Sequence, residues 1–314
     1  MIEFVVPIFL SMGIGARCSR RHVLTGCAIE ELKKLITNFF LPMLTFRMFA
    51  QAKLEAATLQ MVVIAFGLHG LALLLGFALS RAFGEYGRYG PFLMSSAEGG
   101  MLGIGLFQMV YGGENLPYLA PFELGQGIFY FTVFLTVLSG RTAPQEHRED
   151  RAFRQRAAGI VKTMLSAPVF DGCLFGIGYQ LCGLGGVMER LGLADPLYAC
   201  IDVFSALIMP LILITIGFEL PFSRELLLPV AKTLALRFLV MGSCFLVGAG
   251  LLRLIGVRTP LYYYALLLEC SLPPGFLIVM YVKEQSQRLY LNADISIHVL
   301  VTLAISVGFR LFLA

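Results

Sequence analysis

Apolar residues run through this chain in long blocks, and the charged residues gather in the short gaps between them. A helix needs about 20 mostly apolar residues to cross a bilayer. Ten stretches follow that pattern: residues 2–16, 34–52, 56–80, 89–111, 117–140, 158–182, 196–220, 226–252, 260–282 and 290–313, the first being the shortest. Blocks of this length predict helices, whereas an outer-membrane barrel is written in alternating segments of about ten residues. The one strongly polar gap, RTAPQEHREDRAFRQRA at 141–157, falls at the midpoint. The expected architecture is an all-α polytopic membrane protein. It has one five-helix half at 1–140, a cytoplasmic linker at 141–157 and a second half at 158–314.

The halves resemble each other. SMGIG at 11–15 matches LFGIG at 174–178, and FFLPMLTF at 39–46 matches LIMPLILI at 207–214, with Pro42 and Pro210 inside the apolar blocks. EGGMLGI at 98–104 matches PPGFLIV at 273–279. The offsets, 163, 168 and 175 residues, rise in order, as small insertions would make them. Five is odd, so the second half must enter the membrane from the opposite side. That is the inverted-repeat plan of secondary transporters.

The repeat singles out the fourth and ninth stretches. Pro273-Pro274-Gly275 should interrupt the ninth helix, because proline removes a donor and disfavours helix at the residue before it. Gly99-Gly100 should loosen the fourth at the matching place. Bare backbone at membrane depth must lie inside protein or line a cavity. Matched interruptions in two halves are the best sequence pointer to a carrier's binding site.

Composition agrees with a membrane chain. The 314 residues are 58% hydrophobic and 14% charged, with a mean hydropathy of +0.80, against about 45–50% and 25% in soluble proteins. The net charge of +4 lies in the connections, so it reports orientation rather than nucleic-acid binding. The odd-numbered connections, with the ends of the stretches that flank them, hold 17 Lys and Arg, the even-numbered ones 5. Basic loops stay in the cytoplasm, which predicts both termini on the non-cytoplasmic face of the cell (inner or plasma) membrane. At the N-terminus, Arg17, Arg20 and Arg21 follow the apolar block instead of preceding it. It therefore reads as a retained first span rather than a signal peptide.

Seven scattered cysteines without a CxxC read as reduced, buried side chains, with no disulfide framework and no metal site. No Walker A, HExxH, GxGD or paired Asp-rich motif is present, and His22, His69, His147 and His298 are dispersed. A membrane-embedded enzyme or an ATP-driven pump is therefore disfavoured, and no cofactor is expected. The inverted repeat disfavours a channel.

Several stretches together resemble the auxin efflux carrier family: ITNFFLPMLTFRMFA, EGGMLGIG, VYGGENLPYLAPFELGQGIFYFTVFLTV, KTMLSAPVF, DVFSALIMPLILITIGFEL and ECSLPPGF. The resemblance covers nearly the whole chain. It implies ten helices in two inverted halves, with broken fourth and ninth helices crossing near the midplane. It implies a fold-level relation to bile acid sodium symporters, and movement of an organic anion. Glu98 departs from the family's usual asparagine and Gly105 from its frequent proline, so Glu98 bears on substrate charge.

Charges inside a membrane helix are costly, about 2.5–3.5 kcal/mol on insertion scales, and usually functional. Glu98 leads the candidates and Glu269, four residues before Pro273, comes second. Either is placed to carry a proton. Ser95, Ser96 and Ser271 flank the breaks, and they bond either ligand or a preceding helix carbonyl. Glu123 and Gln126 share one face of the fifth helix, and Asn38, a turn before Pro42, is placed to face the crossing. Arg237 is positioned to balance Glu98 or Glu269, to bind an anion, or to snorkel. His69, Asp171, Asp202 and His298 read as interfacial or packing groups, and Asp294 and His298 are spaced to pair.

Half-helix N-termini can hold a carboxylate without a full charge. The leading expectation is therefore a secondary carrier of a small organic anion, proton-coupled through Glu98 or Glu269. A sodium-coupled carrier, or one for a neutral or cationic solute, is the alternative. The expected partners are that small molecule, H+ or Na+, and the lipid bilayer, with a homodimer as one assembly open to it.

Overall fold

In the computed structural model, residues 2–52, 55–142, 167–219, 224–282 and 284–313 are described. Most of the polar linker and the start of the sixth apolar stretch lie outside them. Every regular element among the described residues is helical: α1 (Ile2–Arg20), α2 (Gly26–Leu35), α3 (Leu41–Gln51), α4 (Ala56–Ala78), α5 (Gly90–Ser95), α6 (Ile104–Tyr111), α7 (Ala120–Phe129), α8 (Leu135–Thr142), α9 (Pro168–Leu181), α10 (Leu184–Arg190), α11 (Ala194–Glu219), α12 (Leu227–Leu254), α13 (Pro260–Ser271) and α14 (Gln285–Leu313). Among the described residues, five helical spans are long and apolar enough to cross a membrane: α4, the run from α7 into α8 at 120–138, α11, α12 and α14. Their outward faces carry Val63, Leu239 and Leu254, all exposed. So much exposed apolar surface marks a lipid-facing exterior, and the chain is an integral membrane protein.

The second helix starts earlier than its apolar stretch suggests. Thr25 caps α2 by accepting from the Ala28 N–H at 3.2 Å, and the polar turn that follows is held by Lys33, whose Nζ lies 2.7 Å from Glu219 Oε1. A π-helical turn, Ile36–Phe40, joins α2 to α3. Pro42 accounts for it. The proline ring crowds the carbonyl of residue 38 and offers no N–H, so the helix widens by one residue there. The turn buries Ile36 and Phe40 and leaves Asn38 exposed.

Helices from before and after the polar linker interlock. α1 packs along α11, and α9 packs along α3. Glycines set both contacts. A Cβ on Gly217 would stand 2.1 Å from the Met12 carbonyl oxygen, and one on Gly176 would stand 2.5 Å from that of Phe46. Small residues at such crossings let backbones approach closely. Arg47 of α3 also pairs with Asp202 of α11, so Asp202 has a partner the sequence did not reveal. Elsewhere α4 packs on α5, α7 and α12, and α12 packs on α13 and α14.

These contacts yield a paired prediction. Gly176→Val should lower the melting temperature of the detergent-solubilised protein by roughly 5 °C or more, since overpacking against backbone has no flexible neighbour to yield. Gly178→Ala, where nothing lies within 4 Å, should leave it within a degree or two of the parent. Equal melting temperatures for the two variants would contradict the packing described.

The cysteines divide. All seven are free, but among them Cys173, Cys244 and Cys270 are buried while Cys27, Cys182 and Cys200 are exposed. Uniform burial, expected from their apolar surroundings, therefore fails. In a membrane helix an apolar neighbourhood also describes the lipid-facing side.

Candidate functional site

Two chain breaks meet in the interior. α5 ends at Ser95, Ser96 is extended, and the chain becomes helical again in a π-helical turn, Gly99–Gly103, that leads into α6. α13 ends at Ser271, Leu272 is extended, and a 3-10 turn begins at Phe276. The breaks bond to each other. The Glu98 N–H donates to the Pro273 carbonyl at 2.9 Å. The Gly275 N–H donates to Ser96 Oγ at 3.2 Å, and the Phe276 N–H donates to Glu98 Oε2 at 2.9 Å.

The unwound carbonyls are satisfied by donors from several helices. Arg237 of α12, only 2% exposed, donates to the carbonyls of Leu93, Ser96 and Leu272, the last two at 2.7 Å from one terminal nitrogen. His69 Nδ1 lies 2.8 Å from the Ser95 carbonyl, and Gln126 Nε2 donates to that of Ala97 at 2.8 Å. The Gly103 N–H donates to the Glu98 carbonyl at 3.0 Å, and Thr302 Oγ1 to that of Ser271 at 2.6 Å. Every carbonyl from 95 to 98 and from 271 to 273 therefore accepts from the protein itself, as buried backbone groups must.

Three carboxyl groups gather beside this crossing. Glu123 of α7 lies within hydrogen-bonding reach of Glu269 of α13 and within electrostatic reach of Glu98. Glu123 Oε1 and both oxygens of Glu269 are buried and accept no hydrogen bond. His69 Nε2 lies 3.5 Å from Glu269 Oε1. A cavity of about 10 Å³ between His69, Glu269, Cys244 and Cys270 has room for at most one water. The glycines have a use here other than loosening the helix. A Cβ on Gly99 would stand 2.3 Å from Glu123 Oε1, and one on Gly103 would stand 3.3 Å from it. The break itself falls one step earlier, at 96–98, and Gly100 meets nothing within 4 Å.

Of the residues expected at the site, the structure brings together Ser95, Ser96, Glu98, Gly99, Glu123, Gln126, Glu269, Ser271, Pro273, Pro274 and Gly275. Ser95 and Ser271 turn back to the carbonyls of Pro91 and Leu268, leaving Ser96 as the serine that bridges the breaks. Asn38 stands apart on its exposed turn. Arg237 does not snorkel, since its buried guanidinium is held on the carbonyls of the breaks. Sequence reasoning undervalued His69 and missed Thr302. The usable signal for His69 was a single titratable group midway along an otherwise apolar helix. Asp294 and His298 do pair, at 3.4 Å, both buried.

A family model described as membrane transport protein matches residues 1–169, which includes the first break and Glu123. No curated protein matches the chain.

Proposed function

The chain belongs to the auxin efflux carrier family of membrane transport proteins, and from that premise we propose a secondary active carrier that moves a small organic anion by alternating access. One observation carries the reading: two interrupted helices meet and bond to each other in the protein interior beside the buried carboxyl groups of Glu123 and Glu269. Broken helices at a repeat interface are where such carriers bind substrate and coupling ion.

The ten-helix inverted repeat belongs to this proposal. It is supported by the way the helices pair. The contact of α1 with α11 and that of α9 with α3 exchange when the halves are swapped. So do the contacts of α4 with α5 and α7 and those of α12 with α13 and α14. The distribution of Lys and Arg supports a cell-membrane protein with both termini outside the cytoplasm.

The coupling step follows from the seat of Glu98. Its carboxylate takes the Phe276 N–H, the type of donor that a substrate carboxylate would use. Ionised, Glu98 competes with an organic anion; protonated, it releases the donor and removes the like charge. Proton and anion then load together, with Glu123 and Glu269 as further proton holders. A cationic or neutral solute is the second reading, favoured by the same acidic cluster.

Uptake of small organic acids into proteoliposomes under an inward proton gradient tests both readings. Glu98→Gln should carry substrate at a rate that no longer follows pH. A variant that kept the parent's rate and pH profile would sink the coupling role of Glu98. Gradient-driven uptake of amines instead of acids would favour the second reading.

A further inference from the structure

We propose that Arg237 is a built-in cation occupying the carbonyl cage where carriers of this plan hold a coupling metal ion, so that the cycle needs no sodium. Unwound carbonyls and half-helix C-terminal ends are the groups that coordinate Na+ in broken-helix transporters. Here α5 and α13 both run into the crossing with their C-terminal ends. Each such end carries up to about half a negative charge, so the two together match one cation. The guanidinium supplies it. A single nitrogen bonds Ser96 and Leu272, the first extended residue of each break, at 2.7 Å, and the other reaches Leu93. One nitrogen thus holds a carbonyl from each break, as a central ion would.

The remaining carbonyls of the breaks are taken by His69, Gln126, Thr302 and the Gly103 and Glu98 N–H groups. The carbonyls of residues 95–98 and 271–273 are thus all engaged by protein donors. Asp294 and Glu269 lie within electrostatic reach of the guanidinium and balance its charge. A planar fork of five donors suits several fixed carbonyls better than a point charge does. The consequence for ion coupling rests on the carrier reading above; the cage itself does not.

The test uses the purified full chain in detergent, at constant ionic strength, with its melting temperature as readout. Arg237→Met should melt several degrees below the parent. Millimolar methylguanidinium should recover part of that loss and leave the parent unmoved, a rescue that a packing role would not show. Arg237→Lys should fall between the two, and exchanging choline for sodium should not shift the parent. The proposal is overturned if Arg237→Met melts like the parent, if methylguanidinium acts on both alike, or if sodium stabilises the parent over choline. Should Arg237→Met fail to accumulate, membrane yields of the Lys and Met variants decide: a higher yield for Lys supports the cage, and equal loss overturns it. Absence of flux for every organic acid tried, with the rescue intact, would count against the carrier reading alone.

Discussion

Gly99→Ala is expected to cut transport at least tenfold, while Gly100→Ala, one residue on, leaves it close to the parent rate. A methyl group on Gly99 would stand 2.3 Å from one oxygen of Glu123 and 2.6 Å from the other. The methyl group therefore displaces the end of the Glu123 side chain from its seat against the first break. Overpacking of this kind costs about 1–3 kcal/mol in ordinary cores. Here it also pushes a charge-bearing group off its position, and small misplacements near a working site cost far more in rate than in stability. Gly100 meets nothing within 4 Å, so a methyl group there should cost little. The double variant Gly99→Ala/Glu123→Ala should recover melting temperature but not flux, with a coupling energy in the range of about 0.5–3 kcal/mol seen for residues in contact. Parent-like flux and melting temperature in Gly99→Ala would show that the carboxyl is not held where the structure puts it.

The second large effect is expected at His69 and Glu269. The Ser95 carbonyl has no proton to give, so His69 Nδ1 must carry one to bond it at 2.8 Å. His69 Nε2 then faces Glu269 Oε1 at 3.5 Å, and two lone pairs do not attract. The pair is therefore the second proposed proton holder. Its surroundings are Glu123 on α7, Cys270 on α13, and Cys244 and Arg237 on α12. Glu269→Gln supplies an amide donor toward the ring and should keep the fold while making transport indifferent to pH. His69→Ala removes the donor to Ser95 and should cost about 1–3 kcal/mol, the usual penalty for a stranded buried acceptor. Proteoliposome flux across a pH series, read beside melting curves, separates the two. A Glu269→Gln variant with the parent's pH profile would remove the pair from the coupling path.

The breaks were legible because proline and glycine speak locally. Pro273-Pro274 and Gly99-Gly100 announce an interruption within a few residues, and the proposed repeat gives the two matching positions. The exact position was less legible, since the fourth helix unwinds at 96–98 while its glycines make room for a carboxyl from α7. Glu98 and Glu269 stood out because charge in an apolar block is conspicuous. His69 and Arg237 were equally conspicuous, but nothing nearby named their partners. Arg237 bonds residues 144, 141 and 35 positions away. Such contacts are products of the fold and leave no spacing to read. Asn38 misled for a local reason: the π-helical turn before Pro42 shifts the helix face, and a regular 3.6-residue count cannot anticipate that.

The exchange of helices between the halves bears on how the chain is made. Gly15 of α1 seats against the Ile214 carbonyl of α11, roughly 200 residues later in synthesis. At about 5–20 residues per second, α1 waits on the order of ten to forty seconds beside lipid before its partner emerges. Pro42 and Phe46 of α3 likewise wait for Gly172 and Gly176 of α9. The proposed repeat is thus not the unit that completes folding. Neither half can close its packing alone, and while the first half waits, Gly15 of α1 and the Pro42 and Phe46 carbonyls of α3 stand unsealed.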